Sequence, residues 1–450
     1  MRRKLFGDYG MVLVLILLCL LFSALTLKKQ VPAGSDAVAE IFEQIDSRFD
    51  KLDIVLVAGA AKKDSALVAE KVGEKLKETG YSRAQVVVGT PRDLKLALDG
   101  IKAEGSRPAV IATCGDVVKW RVIELMPQDY PEFSDCELLT PKTYMWPDFL
   151  KRSNLLAIVD RIVVIAVIAI GMTMVIITAG IDLSVGSLIA LAAVISTLIM
   201  KKLGGLQAQG WVVLVGFLAG TLCCGLIGAA GGFIVSRFKV APFITTLSVM
   251  MIARGLAFMI TEGYSIYQVP KALPWLGQGY SLGVPNTVIL LIVLYVAAHI
   301  FMAHTRTGRY IYAVGGNEEA ARLSGVPVKS VIVFVYVVSS LAAGLGGCIQ
   351  TSQLNAGAPN IGVMYELYVI AAVVVGGTSL SGGSGRILGT LIGAFIISVI
   401  QNGMNLLGIE SYKQQVVLGA VILGAVLLDK ARGAGRMPRL FLRRKNEDMN

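Results

Sequence analysis

Long apolar segments dominate this chain from Asn154 onward and leave few folds open to it. Within lipid, every backbone N–H and C=O must find a partner inside the protein, so an apolar run of about 20 residues is expected to form a membrane-spanning helix. Only 16% of the residues are charged, against about 25% in soluble domains, which argues against a soluble enzyme. The runs predict nine spans, at 156–178, 184–200, 211–235, 242–261, 286–303, 331–351, 367–380, 388–406 and 413–429.

Another apolar run, Met11 to Leu27, follows a basic amino end. This layout is typical either of a signal peptide or of a first membrane anchor. No A-x-A-like cleavage site precedes the next element, so we expect an uncleaved anchor within 1–27. The predicted fold class is a polytopic α-helical membrane protein of about ten transmembrane helices, with a small α/β domain inserted after the first helix.

The insert, 28–150, differs sharply in composition, with 17 basic and 20 acidic residues. The predicted elements are strands at 53–60, 84–89 and 108–113 and helices at 64–79 and 92–104. Strands that alternate with helices predict a small parallel sheet with helices packed on it. Cys114 and Cys136 lie in this segment, and the sequence leaves open whether they form a disulfide or stay as free thiols.

Lys and Arg are distributed unevenly among the loops between the spans. If Met1 lies inside, alternation puts 17 of them in the inside stretches and only 4 in the short outside loops. Positive residues concentrate on the cytoplasmic side, so both termini are predicted to be cytoplasmic. The insert would then be extracytoplasmic, followed by a nine-span core at 151–429 and a basic cytoplasmic tail at 430–450.

The segment Gly171 to Ser187, GMTMVIITAGIDLSVGS, interrupts an apolar run with Gly180 and Asp182. Glycine followed by an acidic residue at membrane depth predicts a broken helix, with Ser184 close to the start of the next one. Two interpretations remain open. The segment is either a tight cytoplasmic turn in which Asp182 is an ordinary helix cap, or a site that lines the translocation pathway or its gate.

A long polar segment, Gly308 to Ser330, separates two later spans. It predicts a short helix over Glu318 to Ser324, begun by Asn317 as N-cap and ended by Gly325. The helix is either a simple connector or an element that docks into a groove on another protein.

Four motifs carry a family resemblance. They are GGNEEAARLSGVPV, GMTMVIITAGIDLSVGS, AAVVVGGTSLSGGSGRILGTLIGA and QNGMNLLGIESYKQQVVLGAVIL. The first resembles the EAA-type coupling loop of bacterial ABC importer permeases, and together they resemble monosaccharide permeases of the ribose, galactose and xylose type. The resemblance runs from about Trp146 to Asp429. It departs from that family at about 28–144, where such permeases usually have only a short link.

The resemblance implies that two permeases, as a homodimer or pseudo-dimer, assemble with two ATPase subunits and receive sugar from a periplasmic binding protein. The ATPase-coupling residues would be Glu318, Glu319, Ala320, Ala321 and Gly325. A sugar pathway needs hydrogen-bonding groups without a counter-charge, and such groups are also common between membrane helices. The pathway candidates are Asp182, Ser184, Thr245, Thr246, Ser248, Gln350, Asn402 and Asn405.

The sequence contains no G-x-x-x-x-G-K-[ST] motif for phosphate binding. The Gly-rich stretch Gly376 to Arg386 lacks the phosphate-binding Lys of that motif. ATP and Mg²⁺ are therefore expected on the partner ATPase, and the chain itself is expected to be a transport subunit with no catalytic residue, cofactor or metal. The basic tail has one aromatic residue, Phe441, among its seven Lys and Arg residues, so membrane lipid rather than nucleic acid is its expected contact. Arg254 lies within a span and either snorkels to the interface or serves the pathway.

The alternative function is a secondary transporter of a small polar solute driven by an ion gradient. Such a transporter needs a buried carboxylate relay, and Asp182 is the acidic residue that the predicted spans place deep enough. The segment 318–325 would then have no purpose.

Overall fold

The computed structural model describes residues 10–32 and 34–433, in two compact units. The α/β unit is Leu27–Asp148, and the membrane unit is the chain on either side of it. Most of the predicted basic tail lies outside the described residues. Helices and strands are numbered below in chain order.

Seven helices of the membrane unit, among the described residues, are long and apolar enough to cross a bilayer. They are α7 (Arg152–Ile177), α8 (Val185–Lys202), α9 (Gly210–Phe238), α10 (Pro242–Thr261), α12 (Asn286–His304), α15 (Val328–Leu354) and α17 (Ile387–Leu406). Three shorter or less apolar helices are α1 (Gly10–Leu25), α16 (Tyr365–Val375) and α18 (Ser411–Gly433). The chain is thus predominantly helical, as predicted.

The helices form an inner and an outer layer. Every residue of α7 from Ile162 to Ile177 is buried, because a helix that is apolar on all sides has no face for water and packs at the centre. α8, α15 and α17 are also mostly buried, whereas α9, α10 and α12 keep most of their apolar surface outward, as lipid-facing helices do. Glycine brings the layers together: a Cβ added to Gly232 of α9 would lie 2.9 Å from the Cα of Val333 on α15.

The span predicted at 367–380 is shorter in the structure. α16 ends at Val375 because Gly376 and Gly377 follow it, and Gly377 has a φ of +87°. A helix of 11 residues is only about 16 Å long, while the hydrocarbon core is about 30 Å thick. α16 therefore cannot cross a bilayer by itself.

Short elements lie between the long helices. The first group is α11 (Pro274–Gln278) and a two-stranded hairpin of β7 (Tyr280–Ser281) and β8 (Val284–Pro285). The second group is α13 (Arg306–Gly316) and α14 (Glu318–Leu323). The sequence predicts α14, whereas the residues of α13 were expected to form a loop.

The α/β unit contains a four-stranded parallel sheet in the order β3-β2-β4-β5. Its strands are β2 (Val55–Ala60), β3 (Ala84–Gly89), β4 (Val110–Thr113) and β5 (Glu137–Leu139), the last of which was not predicted. The helices are α2 (Gly34–Arg48), α3 (Asp64–Glu78), α4 (Pro91–Ala103), α5 (Arg121–Glu124) and α6 (Met126–Asp129). α2 and α3 bury their apolar residues on one face of the sheet and α4 on the other, which gives two separate cores.

The two ends of the α/β unit meet in an antiparallel ribbon. β1 (Leu27–Gln30) pairs with β6 (Tyr144–Pro147), with Leu27 opposite Pro147. The chain therefore enters and leaves the unit at neighbouring points. Cys114 and Cys136 are free thiols, so the disulfide is not formed, and burial raises the pKa of Cys136 to about 11.

Candidate coupling site and translocation pathway

Two capped helices, α13 and α14, follow α12 at one end of the membrane unit. The hydroxyl oxygen of Thr305 accepts a hydrogen bond from the Gly308 N–H at 3.0 Å, which starts α13. The side chain of Asn317 accepts from the Ala320 N–H at 2.9 Å, which starts α14 as predicted. Gly325 then has a φ of +81°, a left-handed conformation that favours glycine at a helix end. Both ends of α14 are therefore fixed locally.

The predicted coupling residues are divided between two sides of α14. Glu318 forms an ion pair with Lys239, and Glu319 forms one with Arg322. Ala321 is buried against the membrane core. Both carboxylates thus form ion pairs with basic side chains of the same chain. A partner protein would therefore not find an unpaired acidic side chain on α14 among the described residues.

The side chains that α14 exposes without a partner in the described chain are apolar. Leu323 is 81% exposed, and Ala320 is exposed beside it on the same short helix. A large apolar side chain at the polar end of a membrane protein is suited to a pocket on another protein. Leu323 was not predicted as a site residue, although a leucine between the capped ends of a short polar helix was a usable signal.

Three backbone segments meet beside α13, and we call this contact the backbone joint: the end of α7, the end of α13 and the loop 376–386. The Gly383 N–H donates to the Ile177 carbonyl at 2.9 Å, and the Tyr312 hydroxyl donates to the Gly385 carbonyl at 2.9 Å. A Cβ added to Gly315 would lie 1.7 Å from the Ile177 carbonyl oxygen, so only glycine fits there. The joint connects α13, and through it α14, to the central helix α7.

The break between α7 and α8 holds a buried carboxylate. Asp182 is 1% exposed and accepts hydrogen bonds from the Ser184 N–H at 3.0 Å and the Ser184 hydroxyl at 2.6 Å. Its second oxygen accepts from the Ser339 hydroxyl of α15 at 2.8 Å. Among the described residues, no basic side chain hydrogen-bonds to it. The break is therefore not a solvent-exposed turn but a polar contact between three helices.

Tyr336 extends this polar contact. Its hydroxyl is buried without a hydrogen-bond partner among the described residues, and a Cβ at Gly180 would lie 2.7 Å from that oxygen. Gly180 therefore leaves space for the hydroxyl beside the break. Neither Tyr336 nor Ser339 was predicted as a site residue, because nothing in the sequence of α15 distinguishes them from ordinary polar residues of a membrane helix.

The three candidates on α10 differ in position. The Thr246 hydroxyl lies 3.0 Å from the Pro242 carbonyl of its own helix and 3.3 Å from the Ile181 carbonyl, so α10 reaches the backbone beside Asp182. Thr245 is buried, and its hydroxyl donates to the carbonyl of Ala241. Ser248 is exposed and hydrogen-bonds only within its helix, so the structure does not bring it together with Asp182.

Gln350 lies about 16 Å further along α15 than Ser339 and belongs to a second polar group. Its amide nitrogen donates to the Tyr365 hydroxyl at 3.3 Å, and its amide oxygen is buried without a partner in the described chain. Glu366, in the first turn of α16, lies over Gly186, where a Cβ would come 2.2 Å from its carboxylate. Glu366 was not predicted as a site residue, although it is an acidic residue directly ahead of an apolar run.

Arg254 organises the segment ahead of α16. Its guanidinium donates to the carbonyls of Pro359 at 2.9 Å, Ile361 at 2.7 Å and Gly186 at 3.3 Å. The guanidinium thus satisfies backbone carbonyls of irregular chain, which would otherwise be costly at membrane depth. It does not simply extend to the interface.

The two asparagine candidates connect helices. Asn402 exchanges hydrogen bonds with Asn154 at 2.8 and 3.0 Å, which joins α17 to the start of α7. Asn405 accepts from Gln414 of α18 at 2.8 Å. Because Asp182 follows the opposite end of α7, the structure does not bring either asparagine to it.

A bundle of long apolar helices around a broken, polar-lined centre, with a short capped helix at one end, is the architecture of a multi-span membrane protein. Residues 154–426 match the family described as branched-chain amino acid transport system, permease component, and the chain belongs to this family. The family consists of transport components rather than enzymes.

Named relatives are similar over most of their length. The ribose import permease protein RbsC of Escherichia coli K12 is 44% identical over 290 residues, which is 64% of this chain and 88% of the relative. RbsC of Bacillus subtilis 168 is 42% identical over 290 residues, with the same coverage of 64% and 88%. The D-allose transport system permease protein AlsC of E. coli K12 is 36% identical over 282 residues, covering 63% and 85%. No solved structure matches the chain.

Proposed function

We propose that this chain is the membrane-spanning subunit of an ATP-driven ABC importer that moves a monosaccharide or similar small polyol into the cytoplasm. The observation that carries the proposal is the capped α13–α14 pair, which presents Leu323 outward and is connected to α7 through the backbone joint. The family match and the ribose and allose permeases among its relatives support the substrate class.

The coupling residues would act through α14. ATP and Mg²⁺ bind to a separate ATPase subunit, whose groove receives Leu323 and Ala320, while Asn317 and Gly325 hold the helix at a fixed length. Closure of the ATPase dimer then moves α14 and α13, and the backbone joint passes the movement to α7 and the Asp182 contact. A second permease copy and a sugar-binding protein complete the importer. Neutral groups around the break suit a sugar, whose hydroxyls need donors and acceptors but no counter-charge.

Reconstitution tests this function. We expect proteoliposomes that hold the chain with the ATPase subunit and sugar-binding protein of its operon to accumulate labelled ribose or a related sugar only when ATP is supplied. The chain alone should neither hydrolyse ATP nor accumulate sugar under a proton or sodium gradient. The matched control replaces the phosphate-binding Lys of the ATPase. Gradient-driven accumulation by the lone chain would contradict the proposal and establish a secondary transporter.

We also propose that the chain crosses the inner membrane ten times with both termini in the cytoplasm and the α/β unit outside. The distribution of Lys and Arg, 17 inside against 4 outside, supports this orientation. α16 would complete a crossing together with the irregular segment 355–364. A phosphatase reporter fused after Gly105 should be active only outside the membrane, and a fluorescent reporter after Arg436 only inside. The opposite activity at either position would contradict the topology.

A further inference from the structure

A cavity of about 440 Å³ opens at the end of the membrane unit that lies away from α14. α10 begins shortly after Lys239, which forms an ion pair with Glu318 of α14, and its 20 residues extend about 30 Å from there. The cavity lies at the far end, between the last turns of α8 and α10 and the segment 262–268 that follows α10. Its volume is within the range of about 300–1,000 Å³ that is usual for small-molecule sites.

The segment 262–268 is held in place by backbone contacts. Ile266 and Gly357 form an antiparallel bridge, in which the Ile266 N–H donates to the Gly357 carbonyl at 2.8 Å and the Gly357 N–H donates back at 3.0 Å. Gly357 in turn packs on α8, where a Cβ would come 2.0 Å from the Thr197 hydroxyl oxygen. The wall of the cavity is therefore arranged before a ligand arrives, which lowers the entropic cost of binding.

Most polar side chains of the lining have no partner within the protein. Thr261 donates to a carbonyl of its own helix. Among the described residues, the other six form no hydrogen bond or ion pair through their side chains, and they are Lys201, Glu262, Tyr264, Ser265, Tyr267 and Gln268. Five of these six are exposed, so a ligand can reach them from the solvent side. Their donors and acceptors are therefore available to a ligand.

This set of groups fits a neutral ligand that is rich in hydroxyl groups. The ammonium group of Lys201 and the carboxylate of Glu262 give the lining no net charge. Hydroxyl and amide groups make up the rest, and they both donate and accept, as each hydroxyl of a sugar does. Tyr264 and Tyr267 are 76% and 69% exposed and offer ring surface to the C–H face of a sugar. An apolar amino acid would use only the two charged groups.

We propose that this cavity is a sugar-binding site of low affinity, in which the permease receives a monosaccharide before it enters the membrane unit. The substrate class and the extracytoplasmic position of the cavity rest on the proposed function. The bridge that fixes the cavity also joins it to the irregular segment 355–364, and Arg254 connects this segment to Gly186 of α8. These contacts lead from the cavity toward the break at Asp182.

The test measures sugar binding by the full chain in lipid nanodiscs, without ATPase or sugar-binding protein, by saturation-transfer NMR. Wild-type permease should bind ribose with a Kd of about 1–10 mM and should not bind leucine. Tyr264→Ala with Tyr267→Ala should weaken ribose binding about tenfold, equivalent to about 1.4 kcal/mol for two rings. The matched control Tyr280→Ala removes a ring that is 58% exposed at the same end but outside the cavity, and it should bind ribose as the wild type does.

A second variant guards against a folding defect in the first. Gln268→Leu keeps both rings and nearly the same volume but removes the amide, and it should weaken ribose binding about fivefold. Three results would overturn the proposal: no saturable ribose binding by the folded wild type, unchanged binding in either folded variant, or a loss in the control equal to that in the tyrosine variant. If the tyrosine variant binds ribose normally but no longer binds the sugar-binding protein, the cavity is a protein-docking site and the sugar assignment is wrong.

The same measurements separate this proposal from the proposed function. Binding of leucine in place of ribose would contradict the sugar assignment of both. ATP-driven ribose uptake by an importer whose permease does not bind ribose would contradict the sugar-binding cavity alone.

Discussion

Asp182 is a buried carboxylate whose partners are all neutral. Its two oxygens accept from the Ser184 N–H, the Ser184 hydroxyl and the Ser339 hydroxyl. Donors of this kind satisfy a carboxylate, but they satisfy a neutral amide or a carboxylic acid as well. A substitution of Asp182 therefore distinguishes two mechanisms. An ion-driven carrier needs the charge of this side chain, whereas an ATP-driven importer needs only the contact between α7, α8 and α15.

Replacing Asp182 by Asn tests this distinction. The amide oxygen can still accept from Ser184, and the amide N–H can donate to the Ser339 oxygen, so we expect ATP-driven uptake within about threefold of wild type. Asp182→Ala leaves buried donors unpaired, at about 1–3 kcal/mol each, and should reduce both the Tm and uptake. Both are measured in the reconstituted importer. Loss of uptake in a stable Asp182→Asn protein would mean that the charge itself is required.

Gly315 and Gly316 provide a matched pair in the backbone joint. A Cβ at Gly315 would lie 1.7 Å from the Ile177 carbonyl oxygen, whereas a Cβ at Gly316 has nothing within 4 Å. Because backbone atoms cannot move aside, Gly315→Ala should displace α13 from α7 at a cost of about 1–3 kcal/mol and reduce uptake at least about tenfold. Gly316→Ala, with the same change in helix propensity, should transport normally. Equal uptake by the two variants would mean that the joint carries no movement.

At the scale of elements, apolar runs predict helices well and polar segments poorly. α7 and α17 lie within a few residues of the spans predicted at 156–178 and 388–406, because an apolar run of that length has one stable conformation in lipid. α13 was missed because Gly308, Gly315 and Gly316 reduce its helix propensity, and its buried face is only Gly308, Ile311 and Val314. Its helix is stabilised by packing on the membrane core, which local sequence does not reveal.

The contacts of the candidate site are still harder to predict. Ser339 hydrogen-bonds to Asp182 across 157 residues of sequence. Gly383 hydrogen-bonds to Ile177, which is also distant in sequence and comes close only when the helices pack. The capped helix α14 could be predicted because its N-cap bond lies within four residues of sequence. The packing of the helices decides which polar residue of a long apolar helix faces another helix. The pattern of a single sequence does not reveal that packing.

α14 gives the prediction for a single element. We expect Leu323→Ser to weaken association with the ATPase about tenfold, about 1.4 kcal/mol, because full burial of a leucine side chain in a partner's pocket is worth about 1.5–3 kcal/mol. The control is Val363→Ser, which removes a side chain that is 58% exposed, in the segment between α15 and α16. Copurification of the ATPase with the solubilised permease measures the effect. Normal copurification by Leu323→Ser would identify α14 as a connector.

The whole molecule combines a membrane unit with an α/β unit that has cores of its own. On the membrane side, the Phe149 N–H donates to the Thr26 hydroxyl at 3.2 Å, and the rings of Phe22 and Phe149 stack at 6.1 Å. A Cβ at Gly403 of α17 would collide with Phe22, so α1 packs closely against α17. These contacts hold Thr26 and Phe149 together without any residue of the α/β unit. The family match begins only at residue 154.

Exchanging residues 28–147 for a short Gly-Ser linker should therefore leave the permease inserted, abundant and able to copurify with the ATPase.

The excised segment should be soluble and unfold cooperatively, because α2, α3 and α4 cover both faces of its sheet. A single lobe cannot close around a sugar, so we expect the excised segment to bind monosaccharides no tighter than about millimolar, about −4 kcal/mol. Circular dichroism and calorimetry measure both properties. Micromolar binding of any monosaccharide would instead identify the α/β unit as a fused receptor, and loss of insertion in the deletion variant would mean that the membrane unit needs it to fold.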